Sequence, residues 1–124
     1  MPGNPEFGKL IRQLREEKKK EDPTFSLRGF AEKVELSPTF LSKVEKGEFA
    51  PPKAENIIKM ANLLGYDADK LLALAGKVDP SLSDIIRDKP RALADFLRVA
   101  SGRSEEEIRR LTEQMLKNDE VKEE

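Results

Sequence analysis

Apolar residues recur at intervals of three and four along nearly the whole chain, and no stretch alternates with the period of two that a strand needs. Phe7, Leu10, Ile11 and Leu14 predict a first helix over residues 4–20, which ends in the charged run REEKKKED and is closed by Pro23. Leu27, Phe30, Ala31 and Val34 form the apolar side of a second helix that Ser26 caps. Ser37 caps a third, with Pro38 in the first helical position, where a missing N–H costs nothing. Gly47 stands where a helix C-terminus favours a left-handed residue. Pro51 and Pro52 then lead into a fourth helix with Ile57, Ile58, Met60, Ala61 and Leu64 on its apolar face, ended by Gly65. A fifth, capped by Asp67, carries Leu71, Leu72 and Leu74 and stops at Gly76. The pattern is that of an all-α, five-helix bundle.

The rest of the chain is helical but organised differently. Lys77–Pro80 reads as a joint. Residues 81–88 carry Leu82, Ile85 and Ile86, and residues 90–101 carry Leu93, Phe96, Leu97 and Val99. Gly102 is placed to end that helix, and Ser104 opens the last one through an S-x-x-E capping box with Glu107. Ile108, Leu111 and Met115 make a stripe suited to packing on another helix. From Asn118 the chain is polar and acidic. The expected organisation is a domain over 1–76, a helical C-terminal region over 77–117, and a disordered acidic tail over 118–124.

Within the first domain, the third helix buries Leu41 and Val44 and points Thr39, Phe40, Ser42 and Lys43 outward. A short helix with a small, polar, mildly basic outer face has the shape to lie in a DNA major groove, so the pair at Phe25–Pro52 reads as a DNA-binding helix-turn-helix. The composition narrows the alternatives. The 124 residues contain no Cys and no His, which removes disulfides, thiolate metal sites and the usual general base at neutral pH. No catalytic residue, metal site or cofactor is expected. The net charge of −1 is uninformative by itself, but residues 1–66 hold 12 Lys/Arg against 10 Asp/Glu and residues 67–124 hold 11 against 14, so the acidic excess lies in the second half. With no membrane-length apolar run and no signal-like start, the expectation is a soluble cytoplasmic protein without a membrane partner.

Phe7–Gly76 resembles the lambda-repressor-like, or Xre-type, helix-turn-helix family. The matching segments are IRQLRE at Ile11–Glu16, FAEKVELSPTFLSKVEKGEFAPP at Phe30–Pro52, and IIKMANLLGYDADKLLALAG at Ile57–Gly76. The resemblance implies that the second helix crosses the phosphate backbone while the third enters the major groove. It implies base contacts from Pro38, Thr39, Phe40 and Lys43, and phosphate contacts from Ser26, Arg28, Ser42 and Lys46. Phe40 has two readings, a thymine-methyl contact or packing against the second helix. The resemblance also implies a structural ion pair between Arg15 and Glu45. The chain departs from the family pattern at Leu27, where a phosphate-binding Gln is common, and at Pro38, which occupies a site often used by a base-reading Gln. It departs again at Glu35, where the turn commonly has Gly, and in the longer link from Glu16 to Phe25. That link places Lys18, Lys19 and Lys20 either as a solvated helix end or near the flanking DNA backbone.

A single helix-turn-helix reaches about one half-site, and two copies reach successive major grooves. Residues 80–117 offer more apolar surface, at Ile85, Ile86, Phe96, Leu97, Ile108, Leu111 and Met115, than so short a segment buries alone. They are the expected homodimer contact, the other reading being that they extend the monomer core. The functional expectation is a DNA-binding transcriptional regulator, a repressor of operator DNA acting as a homodimer. Two alternatives stay open: an antitoxin or restriction-controller protein whose C-terminal region holds a protein partner or antagonist, and a protein-interaction module that uses the fold without reading DNA.

Overall fold

The computed structural model describes residues 2–123, with side chains as far as Glu120. Eight α-helices and one 3-10 turn make up the regular structure of these residues: α1 (Pro5–Lys19), the 3-10 turn (Pro23–Phe25), α2 (Leu27–Lys33), α3 (Pro38–Glu45), α4 (Ala54–Leu64), α5 (Ala68–Leu74), α6 (Pro80–Asp88), α7 (Pro90–Ala100) and α8 (Glu105–Glu123). The chain divides into two compact units between Leu82 and Ser83.

In the first unit side-chain caps set the helix starts, at the expected Ser26, Ser37 and Asp67 and also at Asn4. Asn4, Ser26, Ser37 and Asp67 each accept a backbone N–H at the head of α1, α2, α3 and α5, at 3.0–3.1 Å. The Asn4 side chain also donates to the Leu74 carbonyl at 2.9 Å, tying the start of α1 to the end of α5. Pro23 and Phe25 turn the long link inward: Asp22 caps the 3-10 turn through the Thr24 N–H and hydroxyl. Those bonds, the hydroxyl first, hold the Asp22 carboxyl below the usual carboxylate range. Phe25 is thereby buried against Phe30, ring centroids 5.7 Å apart. Phe7, Ile11, Phe30, Leu41, Ile57, Met60, Leu71 and Leu72 are fully buried and form one core. Each contributes about 1.5–3 kcal/mol of hydrophobic burial.

Four helices of this unit end in one way. A left-handed residue follows the last turn, and the N–H after it bonds back five residues: Leu36 to Ala31, Glu48 to Lys43, Tyr66 to Ala61 and Lys77 to Leu72, each at 2.9 Å. Three of the left-handed residues are Gly47, Gly65 and Gly76; the fourth is Glu35, at φ +59°. Glu35 carries a Cβ in that conformation and holds an exposed pair with Lys59 at 3.2 Å, which contributes little. Glu35→Gly is therefore expected to raise stability by about 0.5–1 kcal/mol, after allowing for the greater unfolded-state freedom of Gly. A urea melt checks this, and a loss of stability would show that the Lys59 pair outweighs the backbone. The turn is also held from α4, where the buried Asn56 side chain donates to the Val34 carbonyl at 2.9 Å.

The second unit has a different balance. No residue of α6 or α7 is buried. Its ion pairs, such as Arg109–Glu105 at 2.8 Å within α8 and Arg103–Glu107 at 3.4 Å from the turn before it, are exposed and worth about 0.3–0.5 kcal/mol each. Phe96, Val99 and Ala100 of α7 face Ile108, Leu111 and Met115 of α8 across a cleft of about 440 Å³. Gly102 follows the end of α7 as expected, without a left-handed conformation, and the Ser101 hydroxyl donates to the Arg98 carbonyl there at 2.7 Å. α8 runs through residues 118–123, with no Gly or Pro after Glu105 to interrupt it. Residue 124 lies outside the described residues. None of the described helices is long and apolar enough to cross a membrane.

Candidate nucleic-acid interface

The geometry of the candidate interface depends on how α3 is held. Leu41 and Val44 anchor one side of α3 in the core, and its C-terminus is fixed by Glu45. Arg15 donates from Nε to Glu45 Oε2 at 2.7 Å and from Nη2 to Oε1 at 2.8 Å, a two-pronged pair; its Nη1 also reaches the Phe25 carbonyl at 3.3 Å. Both residues are nearly sealed from water, Arg15 at 5% exposure and Glu45 at 8%. The bond to Glu45 raises the Arg15 guanidinium above its ordinary value, against the opposing effect of burial. One ion pair thus links α1, the link before α2, and the end of α3. Gly8 lets α1 come close to α3: a Cβ there would stand 2.2 Å from the Val44 carbonyl oxygen.

This scaffold presents the outer side of α3. Thr39 and Lys46 are exposed, whereas Pro38, Phe40, Ser42 and Lys43 are half-buried. Thr39, Phe40 and Lys43 share one face by helical spacing. Pro38 brings only apolar atoms, since it has no N–H. At the start of α2, Arg28 is exposed, while the Ser26 oxygen is engaged as the cap, accepting the Gly29 N–H at 3.1 Å. Among the described residues Arg28, Lys43 and Lys46 form no ion pair. Leu27 packs on the core edge. Lys18 and Lys33 place their ammonium groups 5.7 and 5.4 Å from the Phe25 ring, and Lys20 pairs with Glu17 at 3.5 Å.

The sequence-level reading omitted Phe49. Phe40 lies beside it, with ring centroids 5.8 Å apart, and is partly buried against the core; Lys43 sits 5.1 Å above the Phe49 ring. The available signal was an aromatic residue two positions after the helix-ending Gly47, between Glu48 and Ala50.

A sequence profile described as a helix-turn-helix domain matches residues 8–77, more than half of the chain. The chain belongs to the helix-turn-helix domain family. The match covers the stretch read above as lambda-repressor-like, and the fold is all-α. Among solved structures, one chain of the SinR protein/SinI protein complex is 23% identical, over 92% of this chain and 98% of that chain, with a TM-score of 0.46. No curated protein matches. As a helix-turn-helix protein this is a DNA-binding regulator, and α2 and α3 are its helix-turn-helix pair.

Of the residues read as a C-terminal contact, Phe96, Ile108, Leu111 and Met115 line the α7–α8 cleft together. Ile85 on α6 and Leu97 on α7 are exposed and do not line it.

Proposed function

We propose that this helix-turn-helix protein is a transcriptional repressor that binds operator DNA as a homodimer, each copy placing the N-terminal half of α3 in the major groove. One observation carries the reading: α3 is locked by the Arg15–Glu45 pair while its outer side carries Thr39 and Lys43 and its C-cap Lys46, and among the described residues neither lysine has an acidic partner. A rigid helix with unneutralised cations is prepared to meet phosphates and base edges with little reordering. Lys43 is suited to guanine O6 or N7, and Thr39 to either a polar edge or a thymine methyl. Arg28 and Lys46 are suited to phosphates, with Ser26 and Ser42 offering hydroxyl protons. The open apolar cleft between α7 and α8 favours a second copy: surface ion pairs are too weak to hold that unit, and a partner's helices would cover Phe96, Leu111 and Met115.

The test is selection of bound duplexes from a random pool, repeated with Thr39→Ala, Lys43→Ala and Leu111→Asp. The expected product is an inverted repeat with half-sites about one helical turn apart. Thr39→Ala or Lys43→Ala is expected to weaken binding by about 1–3 kcal/mol and relax one position of each half-site. Leu111→Asp is expected to reduce recovery to single half-sites. No enrichment at moderate salt would sink the repressor reading. Unchanged inverted repeats with Leu111→Asp would remove the C-terminal helices from the dimer and leave their cleft to a protein antagonist.

A further inference from the structure

Phe49 follows the recognition helix yet folds back onto it. Gly47, at φ +78°, reverses the chain, and the N–H groups of Glu48 and Phe49 both donate to the Lys43 carbonyl, at 2.9 and 3.2 Å. The Phe49 ring therefore lies against Phe40 and beneath the Lys43 ammonium, on the side of α3 that carries the candidate base contacts. It is 41% exposed, whereas Phe7, Phe25 and Phe30 of the same unit are buried. A ring left half in water and stacked under an unpaired lysine fills no core. We infer that Phe49 is a specificity-determining residue: together with Phe40 it forms an apolar platform that takes a thymine methyl group, and it holds Lys43 beside that methyl.

The inference rests on the DNA-binding reading and adds a particular chemistry to it. Thymine is the base that shows a methyl group in the major groove, so an apolar platform there discriminates through that group. The cation over the ring keeps Lys43 from ranging freely over phosphates. The platform then reads a thymine next to the base or phosphate that Lys43 meets.

The test uses the full-length protein and the duplex recovered by selection, with each thymine replaced in turn by deoxyuridine, which removes only the methyl. Binding is followed by fluorescence anisotropy for the wild type, Phe49→Ala and Phe49→Gln. Because the ring is exposed, both variants are expected to melt near the wild-type temperature, and either one carries the test. One deoxyuridine position per half-site is expected to weaken wild-type binding about fourfold, the scale of one methyl removed from an apolar contact. The variants are expected to bind the thymine duplex about tenfold more weakly and to lose the distinction between thymine and uracil. If the wild type binds its selected duplex but no deoxyuridine position matters, the platform is overturned while the DNA reading stands. The same holds if the variants keep the wild-type uracil penalty. If the wild type enriches no duplex, the DNA reading fails and the platform falls with it.

Discussion

Arg15→Ala and Glu45→Ala are each expected to destabilise the first unit by about 3–5 kcal/mol, a large share of a small domain's total stability. The reason is asymmetry. Desolvating two charges costs about as much as their attraction returns, so the intact pair adds little net stability. Removing one partner leaves the other buried, charged and without its two strong hydrogen bonds. Arg15→Ala also strips the Phe25 carbonyl of its guanidinium donor. The double variant Arg15→Met/Glu45→Leu is therefore expected to recover most of the loss, to within about 1 kcal/mol of wild type or above it. Urea denaturation of the wild type, Arg15→Met, Glu45→Leu and the double variant closes a cycle that reads the coupling directly. Single substitutions costing under about 1 kcal/mol would show that water enters the pair. The double variant has a functional prediction too: it keeps the fold but weakens DNA binding, because α3 loses the clamp that orients it.

The second large effect is expected at Gly8, and it sets two opposing terms against each other. Gly8 lies inside α1, where Ala would normally be favoured by about 0.5–1 kcal/mol. Yet an added Cβ would stand 2.2 Å from the Val44 carbonyl oxygen and 2.6 Å from that of Glu45. Both are backbone atoms at the end of α3, so no rotamer change relieves the overlap, and α1 must move away from α3. Overpacking of this kind costs about 1–3 kcal/mol, and more where backbone must shift; here the shift also stretches the Arg15–Glu45 bonds. Gly8→Ala is expected to lower stability by about 3 kcal/mol and Gly8→Val to prevent folding. Thermal unfolding followed by circular dichroism checks both. A neutral Gly8→Ala would mean that α1 and α3 stand further apart than described.

Much of the first unit is legible in the residues because its determinants are local. Asn4, Ser26, Ser37 and Asp67 cap helices through N–H groups no more than three residues away, and Gly47, Gly65 and Gly76 end them through their own backbone freedom. The apolar spacing of Phe7, Ile11, Leu41, Val44 and Met60 gives the buried sides, since a helix repeats every 3.6 residues whatever it packs against. Gly102 marks the limit of that reasoning. A glycine after a helix permits a left-handed ending without requiring one, and the Ser101 hydroxyl supplies a different ending.

Contacts between distant residues had no such local signature. Nothing near Gly8 in the chain reveals that the end of α3 crosses it, and nothing near Asn56 reveals that its amide closes the turn at Val34. Phe49 reads as a loop aromatic until the Gly47 reversal lays it beside Phe40 and Lys43. Residue type and period set which helices form and which side of each is apolar, through interactions spanning a turn or two. Where helices approach, which polar group is sealed between them and which rings gather on α3 depend on packing across tens of residues, and only the folded chain decides them.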